Sequence, residues 1–484
     1  MGRSAPSNIP MDRPFNIIGH MTAFRPSPRS GAPWLAAMAL LTVANLVEPA
    51  AALAWAAAAG AAMFLVLEHG RIPRGVRRIS AVLGLLSVGL VAFRHVPLDS
   101  LRRGAGIGAL MASLISSVTL LARAALRSQG SRAVASLLLS QRVRMRCASF
   151  AIACQVFGGL LGLAGVNMLL EMASRGDAAD PERLPVVAAI MRSFSAATLW
   201  SPMFSNVSIL LALYPGLSWF TLLPLCMALA VSTVVVGLVM DFIRLRNHVD
   251  DPGATAANDG DTRLLRAVLP MIAAMCGFLA LVLVIAWLLH VAVAGAIVLL
   301  VPIAALGVNT LQAPRGAGRV RHALAELKAD YERLPLLAGE VALFMAAGCG
   351  GTVIASAIPP EWTHAAAQLV SHSATLACLS LMSSVVLLSF MAVHPVLSVV
   401  LVATCFPPAL IGLPVVPHLL AIMVGWSVSG TVSPFSMLSL MASRYSGASI
   451  YAVSVRANHL FALLCMGIGA VALGIVSRGA PFHP

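Results

Sequence analysis

Residues 189–202 read "AIMRSFSAATLWSP", and residues 421–434 read "AIMVGWSVSGTVSP". Each segment opens on Ala-Ile-Met, carries a serine four residues after the methionine, and closes on Ser-Pro. Extended back to Pro185 and Pro417, the two agree at seven of 18 positions without a gap. A proline inside a helix removes one backbone donor and frees a carbonyl upstream. In hydrocarbon those groups need partners, so a helix opens there only where the opening is buried in protein or lines a cavity. The same opening written twice, half a chain apart, points to an internal repeat.

Composition fixes the medium. Of 484 residues, 59% are hydrophobic and 10% charged, with a mean hydropathy of +0.90, whereas soluble domains carry about 25% charged residues. The apolar segments are long and continuous rather than short and alternating, which selects helices over a barrel. The fold class expected is an all-α polytopic membrane protein in a cell membrane, on this pattern the bacterial inner membrane.

Apolar runs fall at 31–47, 50–68, 79–93, 104–122, 147–172, 185–216, 219–241, 267–290, 291–308, 336–358, 365–414, 417–445 and 450–475. The net charge of +14 is carried almost wholly by arginine, Lys328 being the only lysine. The basic residues gather between runs: Arg71, Arg74, Arg77 and Arg78, then Arg123 to Arg146, then Arg315 to Arg333. Cytoplasmic loops have this bias, so the charge reads as topology and nucleic acid is not an expected partner. If 147–172 and 365–414 each turn back as re-entrant hairpins, the basic segments fall on one side and about 11 transmembrane helices remain, with a cytoplasmic N-terminus. Arg94, Arg102 and Arg103 run against this assignment. Residue 365–414 satisfies the same parity as two full spans. The domain plan is a disordered cytoplasmic tail (1–30), membrane repeat 1 with extra N-terminal helices (31–241), a polar cytoplasmic linker (242–266), membrane repeat 2 (267–475) and a C-terminal tail (476–484).

In this topology the two Ser-Pro segments run in opposite directions, as in inverted-repeat carriers with broken helices. The N-terminus of a half-helix aimed into the membrane favours an anion, and nearby carbonyls favour a small cation. Partners for the opened backbone stand around each proline: Thr198, Ser201, Ser205, Asn206 and Ser208 at the first break, and Ser427, Ser429, Gly430, Thr431, Ser433, Ser436 and Ser439 at the second. The alternative is an ordinary proline kink with back-bonded serines. Arg192 either meets a substrate carboxylate or anchors the helix at the interface. Glycines at Gly158, Gly159, Gly350 and Gly351, with Thr352, allow close approach of a ligand or, equally, of a neighbouring helix. Asp241 and Glu340 lie near run ends, where capping or snorkelling is the expected role. His394-Pro395 marks a hairpin turn.

Eight cysteines form no Cys-x-x-Cys pair, and the sequence holds no Walker A, G-x-S-x-G or H-E-x-x-H motif. No metal site, cofactor or enzymatic activity is therefore expected.

The segments "FSAATLWSPMFSNVSILL" (194–211), "HPVLSVVLVAT" (394–404) and "SGTVSPFSMLSL" (429–440) resemble the ion-transporter superfamily of secondary carriers, which includes divalent anion/sodium symporters and the large membrane subunit of tripartite carriers. The resemblance spans roughly residues 140–475 and rests on short motifs. It implies an elevator-type carrier of a small organic or inorganic anion, coupled to sodium or protons, with Na+ as a candidate coupling ion. It implies a substrate site where hairpin tips and helix breaks meet, formed by Ser201, Pro202, Ser205 and Asn206 at the first break and Thr431, Ser433, Pro434 and Ser436 at the second. Ser205-Asn206-Val207 departs from the symporters' Ser-Asn-Thr pattern, and the second break has no asparagine. Expected partners are the small anion, membrane lipid and, for an assembly, a second copy as a homodimer. A permease subunit that depends on an external binding protein and a membrane-embedded transferase are the other classes the sequence admits.

Overall fold

The computed structural model describes residues 30–127, 143–174, 183–214, 216–246, 257–314, 316 and 318–479. The N-terminal tail, Arg132, Arg142, Arg315 and much of the polar linker lie outside the described residues, as do the final residues of the chain.

Among the described residues every regular element is helical. The first group comprises α1 (Ala32–Val47), α2 (Ala51–Leu67), α3 (Arg74–Phe93) and α4 (Leu98–Leu126). The first repeat follows as α5 (Val143–Leu161), α6 (Leu163–Ala173), α7 (Arg183–Trp200), α8 (Ser205–Leu213) and α9 (Trp219–Arg244). Next come α10 (Ala257–Leu288), α11 (Val293–Gln312), α12 (Arg319–Glu332), α13 (Ala338–Ala357) and α14 (Pro360–Gln368). The second repeat is α15 (Ala374–Phe390), α16 (Pro395–Cys405), the short α17 (Pro408–Ile411), α18 (Val415–Val432), α19 (Met437–Ser446) and α20 (Ala457–Gly479). Seven of the described helices are long and apolar enough to cross a membrane. The chain is an all-α polytopic membrane protein.

Two expectations change. The second part of the 242–266 linker is helical, because α10 begins at Ala257 and runs unbroken into the apolar segment. The basic segment between the runs at 291–308 and 336–358 contains the amphipathic helix α12, held by Arg127, whose guanidinium donates to Asp330 (2.6 Å) and to Asn309 (2.9 Å).

The two hairpins turn where the sequence offers the backbone for it. Gly162, at φ +61°, separates α5 from α6, a conformation without penalty for glycine. Ala392 takes φ +60° between α15 and α16. His394 then caps α16, its Nδ1 accepting from the Val396 N–H at 3.3 Å, with Pro395 in the first turn. The return arms α6 and α16 each have 11 residues, roughly 16 Å of helix against a hydrocarbon core of about 30 Å. Neither arm is long enough to cross by itself.

A smaller core formed by α1, α2, α4, α11 and α13 lies beside the large one, and α4 and α11 contribute side chains to both. Within it α4 and α13 touch backbone to backbone. A Cβ on Gly104 would stand 2.5 Å from the Gly348 carbonyl oxygen, so only glycine fits that crossing. Thr352 Oγ1 donates to the Ser100 carbonyl at 2.7 Å, and the Ser100 and Ser356 hydroxyls meet at 2.9 Å. Thr352 and Gly348 are thereby committed to helix packing. Gly351 is packed against Val400 of α16, and Gly350 lies in ordinary contact with Leu83.

Candidate functional site

The two quoted segments become α7 and α18, and the structure brings them together at their shared serine. The Ser195 and Ser427 hydroxyls lie 2.7 Å apart, and Ser427 Oγ also donates to the Ser195 carbonyl at 2.5 Å. Ser427 has one proton and gives it to that carbonyl, so Ser195 donates to Ser427 Oγ. A residue placed beside its own equivalent is the mark of a two-fold relation. The two segments therefore meet at equivalent positions.

Both helices then open six residues later, with the same bonds. The Ser201 N–H reaches the Ala197 carbonyl at 3.1 Å, and that of Ser433 the Ser429 carbonyl at 3.0 Å. The Ser201 hydroxyl donates across to its own hairpin, to the Gly159 carbonyl at 2.5 Å; Ser433 does the same to the Ser389 carbonyl at 2.9 Å. Each serine oxygen also accepts from the N–H two residues on, Met203 at 3.3 Å and Phe435 at 3.2 Å. Pro202 and Pro434 have no N–H, so the serine hydroxyl and the turned chain satisfy what the broken helix leaves open.

The second halves differ. At α19 the Ser436 hydroxyl caps the helix, accepting from the Ser439 N–H at 3.0 Å and donating to the Gly430 carbonyl at 2.7 Å. Around it Pro434 is half-buried, while Phe435 and Met437 are 60% and 57% exposed. At α8 the capping position is Phe204, which offers no side-chain acceptor, so the first-turn N–H groups have no side-chain cap. Ser201, Met203, Phe204, Asn206 and Ser208 are all buried there. Among the described residues the Asn206 side chain makes no hydrogen bond, although it is 6% exposed. The first break is thus an enclosed, uncapped helix N-terminus with a free amide beside it; the second is self-capped and open on one side. Replacing Ser436 by Ala is expected to destabilise the protein by about 1 kcal/mol through loss of the cap, read as a lowered melting temperature in detergent.

The remaining candidates fall elsewhere. Thr431 donates to the Val428 carbonyl at 2.7 Å, inside α18. Gly158 packs against Cys154, Phe194 and Val166, and Gly159 against the Trp200 ring, while its carbonyl serves Ser201. Arg192 is nine residues before Ser201 and is committed to an ion pair with Asp241 on α9. Asp241 is accordingly buried and paired rather than acting as a cap or snorkelling to the interface.

Two polar links were not singled out from the sequence. Gln155 on α5 donates to the Ser193 carbonyl and hydroxyl at 2.7 and 2.8 Å and accepts from Trp200 Nε1 at 2.9 Å, locking the hairpin to α7. Tyr214 at the end of α8 meets His418 Nδ1 at 2.7 Å, and His418 Nε2 lies 2.6 Å from the Phe406 carbonyl. A carbonyl only accepts, so Nε2 bears the proton, and in the neutral ring Nδ1 takes the tyrosine's. A lone tyrosine and a lone histidine 204 residues apart carry no local pattern that pairs them.

No protein-family model and no curated protein matches the sequence. Among solved structures, the YdaH transporter of Alcanivorax borkumensis, described as having an unusual topology, aligns with a TM-score of 0.51 at 16% identity, over 78% of this chain and 86% of its own. This chain shares its fold. MtrF of Neisseria gonorrhoeae, described within a class of antimetabolite efflux pumps, aligns over 80% of this chain and 84% of its own, at 13% identity and a TM-score of 0.48.

Proposed function

We propose that the chain is a secondary active transporter that moves a small organic or inorganic anion across the membrane, driven by a sodium or proton gradient. The observation that carries this is the first break: a helix N-terminus among buried residues without a side-chain cap, with the unpartnered Asn206 amide beside it. Free N–H groups and the positive end of the helix dipole favour an anion, and the amide supplies a further donor. The fold shared with the YdaH transporter is in keeping with transport.

An elevator motion of the repeats belongs to this proposal. Membership of the ion-transporter superfamily and a homodimer belong to the same proposal, with Na+ or the proton as coupling ion.

Uptake into proteoliposomes from a panel of carboxylates and oxyanions, under imposed sodium and proton gradients, tests it. Gradient-driven accumulation of at least one anion is expected, and accumulation of none would sink the reading. Asn206→Leu is expected to lower that uptake at least about tenfold, the loss of one good charge-assisted hydrogen bond, with the melting temperature unchanged. Equal uptake by Asn206→Leu and wild type would move the anion away from the first break.

A further inference from the structure

The Arg192–Asp241 pair is built in more detail than a packing contact needs. The guanidinium uses three nitrogens: Nη1 on the Asp241 carboxylate, Nε on Asn458 Oδ1 at 2.9 Å and Nη2 on the Ala457 carbonyl at 3.0 Å. Phe461 lies under it, 5.9 Å from ring centre to guanidinium carbon. Asn458 follows a π-helical turn, Ala452–Arg456, and donates to its Val453 carbonyl at 2.8 Å. Such turns are rare and recur at functional sites. Gly237, one turn before Asp241, lies in ordinary contact with the arginine stem. A cavity of about 10 Å³, at the lower limit for one water, reaches both members of the pair past Ala151, Ser193 and Leu238.

The surrounding groups leave one proton acceptor. Arg244 on α9 is the other charge that acts on Asp241. From α5, the Cys154 thiol donates to the Ile190 carbonyl at 3.5 Å, and Arg144 is turned to the carbonyls of Leu245 and Arg246. From α20, Cys465 senses the Arg192 charge. Arginine stays charged at any pH a protein meets, so a change of state at this site falls on Asp241. Ionisable groups inside a membrane are functional by default, and carboxylates there serve as proton relays.

We propose that the Arg192–Asp241 pair is the proton-coupling site of the carrier: the Asp241 carboxylate binds one proton, and the Arg192 charge it had balanced then strengthens anion binding at the first break. The step balances as carboxylate plus proton to neutral carboxyl, taking the pair from net zero to one positive charge, with Arg192 still held by Asn458 and Ala457. Ser201 is nine residues further along α7, roughly 13 Å of helix. At that distance and an effective dielectric of about 20, one freed charge strengthens anion binding roughly tenfold. This coupling role rests on the anion-carrier reading above and selects the proton over sodium.

The test titrates the full-length chain in liposomes with protons alone and reads infrared difference spectra in the carbonyl-stretch region of protonated carboxyls. A band that appears on acidification is expected in the wild type and in Glu340→Gln, shifted in Asp241→Glu, and missing from the double variant Arg192→Gln/Asp241→Asn. The double variant removes both charges together and leaves neither alone in the membrane. Its anion affinity is also expected to lose the roughly tenfold pH dependence. The same band in the double variant, or no band in a wild type that takes up anions, overturns the proton site and leaves the carrier reading standing. A wild type that shows the band and carries none of the panel anions sinks the carrier reading, and the coupling role with it.

Discussion

Asp241→Asn alone is expected to lower stability by about 3–5 kcal/mol, because it leaves the buried Arg192 charge without its counter-ion. Both side chains are almost fully enclosed, at 3% and 6% exposure, so solvent does little to screen the loss. Asn458 and the Ala457 carbonyl remain on the guanidinium, but neither brings a negative charge. Arg192→Gln strands the carboxylate in the same way. The double variant is expected to recover most of the loss, since replacing a buried pair together is often close to neutral. Melting in detergent measures all three. The half-exposed pair of Arg102 with Asp99 is the control, and Asp99→Asn is expected to leave the melting temperature where it was. A single Asp241→Asn variant as stable as wild type would show that the pair does not hold α7 to α9.

Gly348→Ala is expected to cost about 3 kcal/mol or more, as an overpacked contact between two backbones that cannot move apart without separating α4 from α13. The added methyl would collide with the Gly104 carbonyl and crowd the Gly108 amide. Gly350→Ala, two residues on, meets only Leu83 at ordinary distance and gains up to about 1 kcal/mol of helix propensity. Loss of monodisperse protein in the first and not in the second is the expected result. If the two substitutions behave alike, the glycine crossing is not what joins these helices. The pair also separates packing from ligand approach, the two roles the sequence left open for Gly350 and its neighbours.

Much of the architecture is legible in the sequence because hydrocarbon imposes one simple rule on a helix. A run long enough and apolar enough is a span, and a proline with hydroxyls around it is an opening. The hairpin turns at Gly162 and His394-Pro395 follow from local backbone chemistry in the same way. The linker end was misjudged because polar residues at a helix start, as at Ala257–Asp261, look like a loop when only hydropathy is read. Asp241 was placed at a helix end by its position in the run, which is correct; its partner, 49 residues upstream, has no local signal.

The repeat itself shows the division most clearly. The sequence by itself determined that the helices are disturbed at "LWSP" and "TVSP", as a break or a kink, since the missing proline N–H and the nearby serine hydroxyls are properties of the residues wherever the helix lies. It also pointed to the two as copies of one phrase. Only the tertiary structure decided that each chain opens there into a separate helix, that their common serines meet, that the second break caps itself through Ser436, and that the first leaves Asn206 unpartnered beside a helix end without a side-chain cap. Those facts depend on which neighbour fills each donor and acceptor. That is settled by packing between segments hundreds of residues apart, where two nearly identical phrases can be completed in different ways.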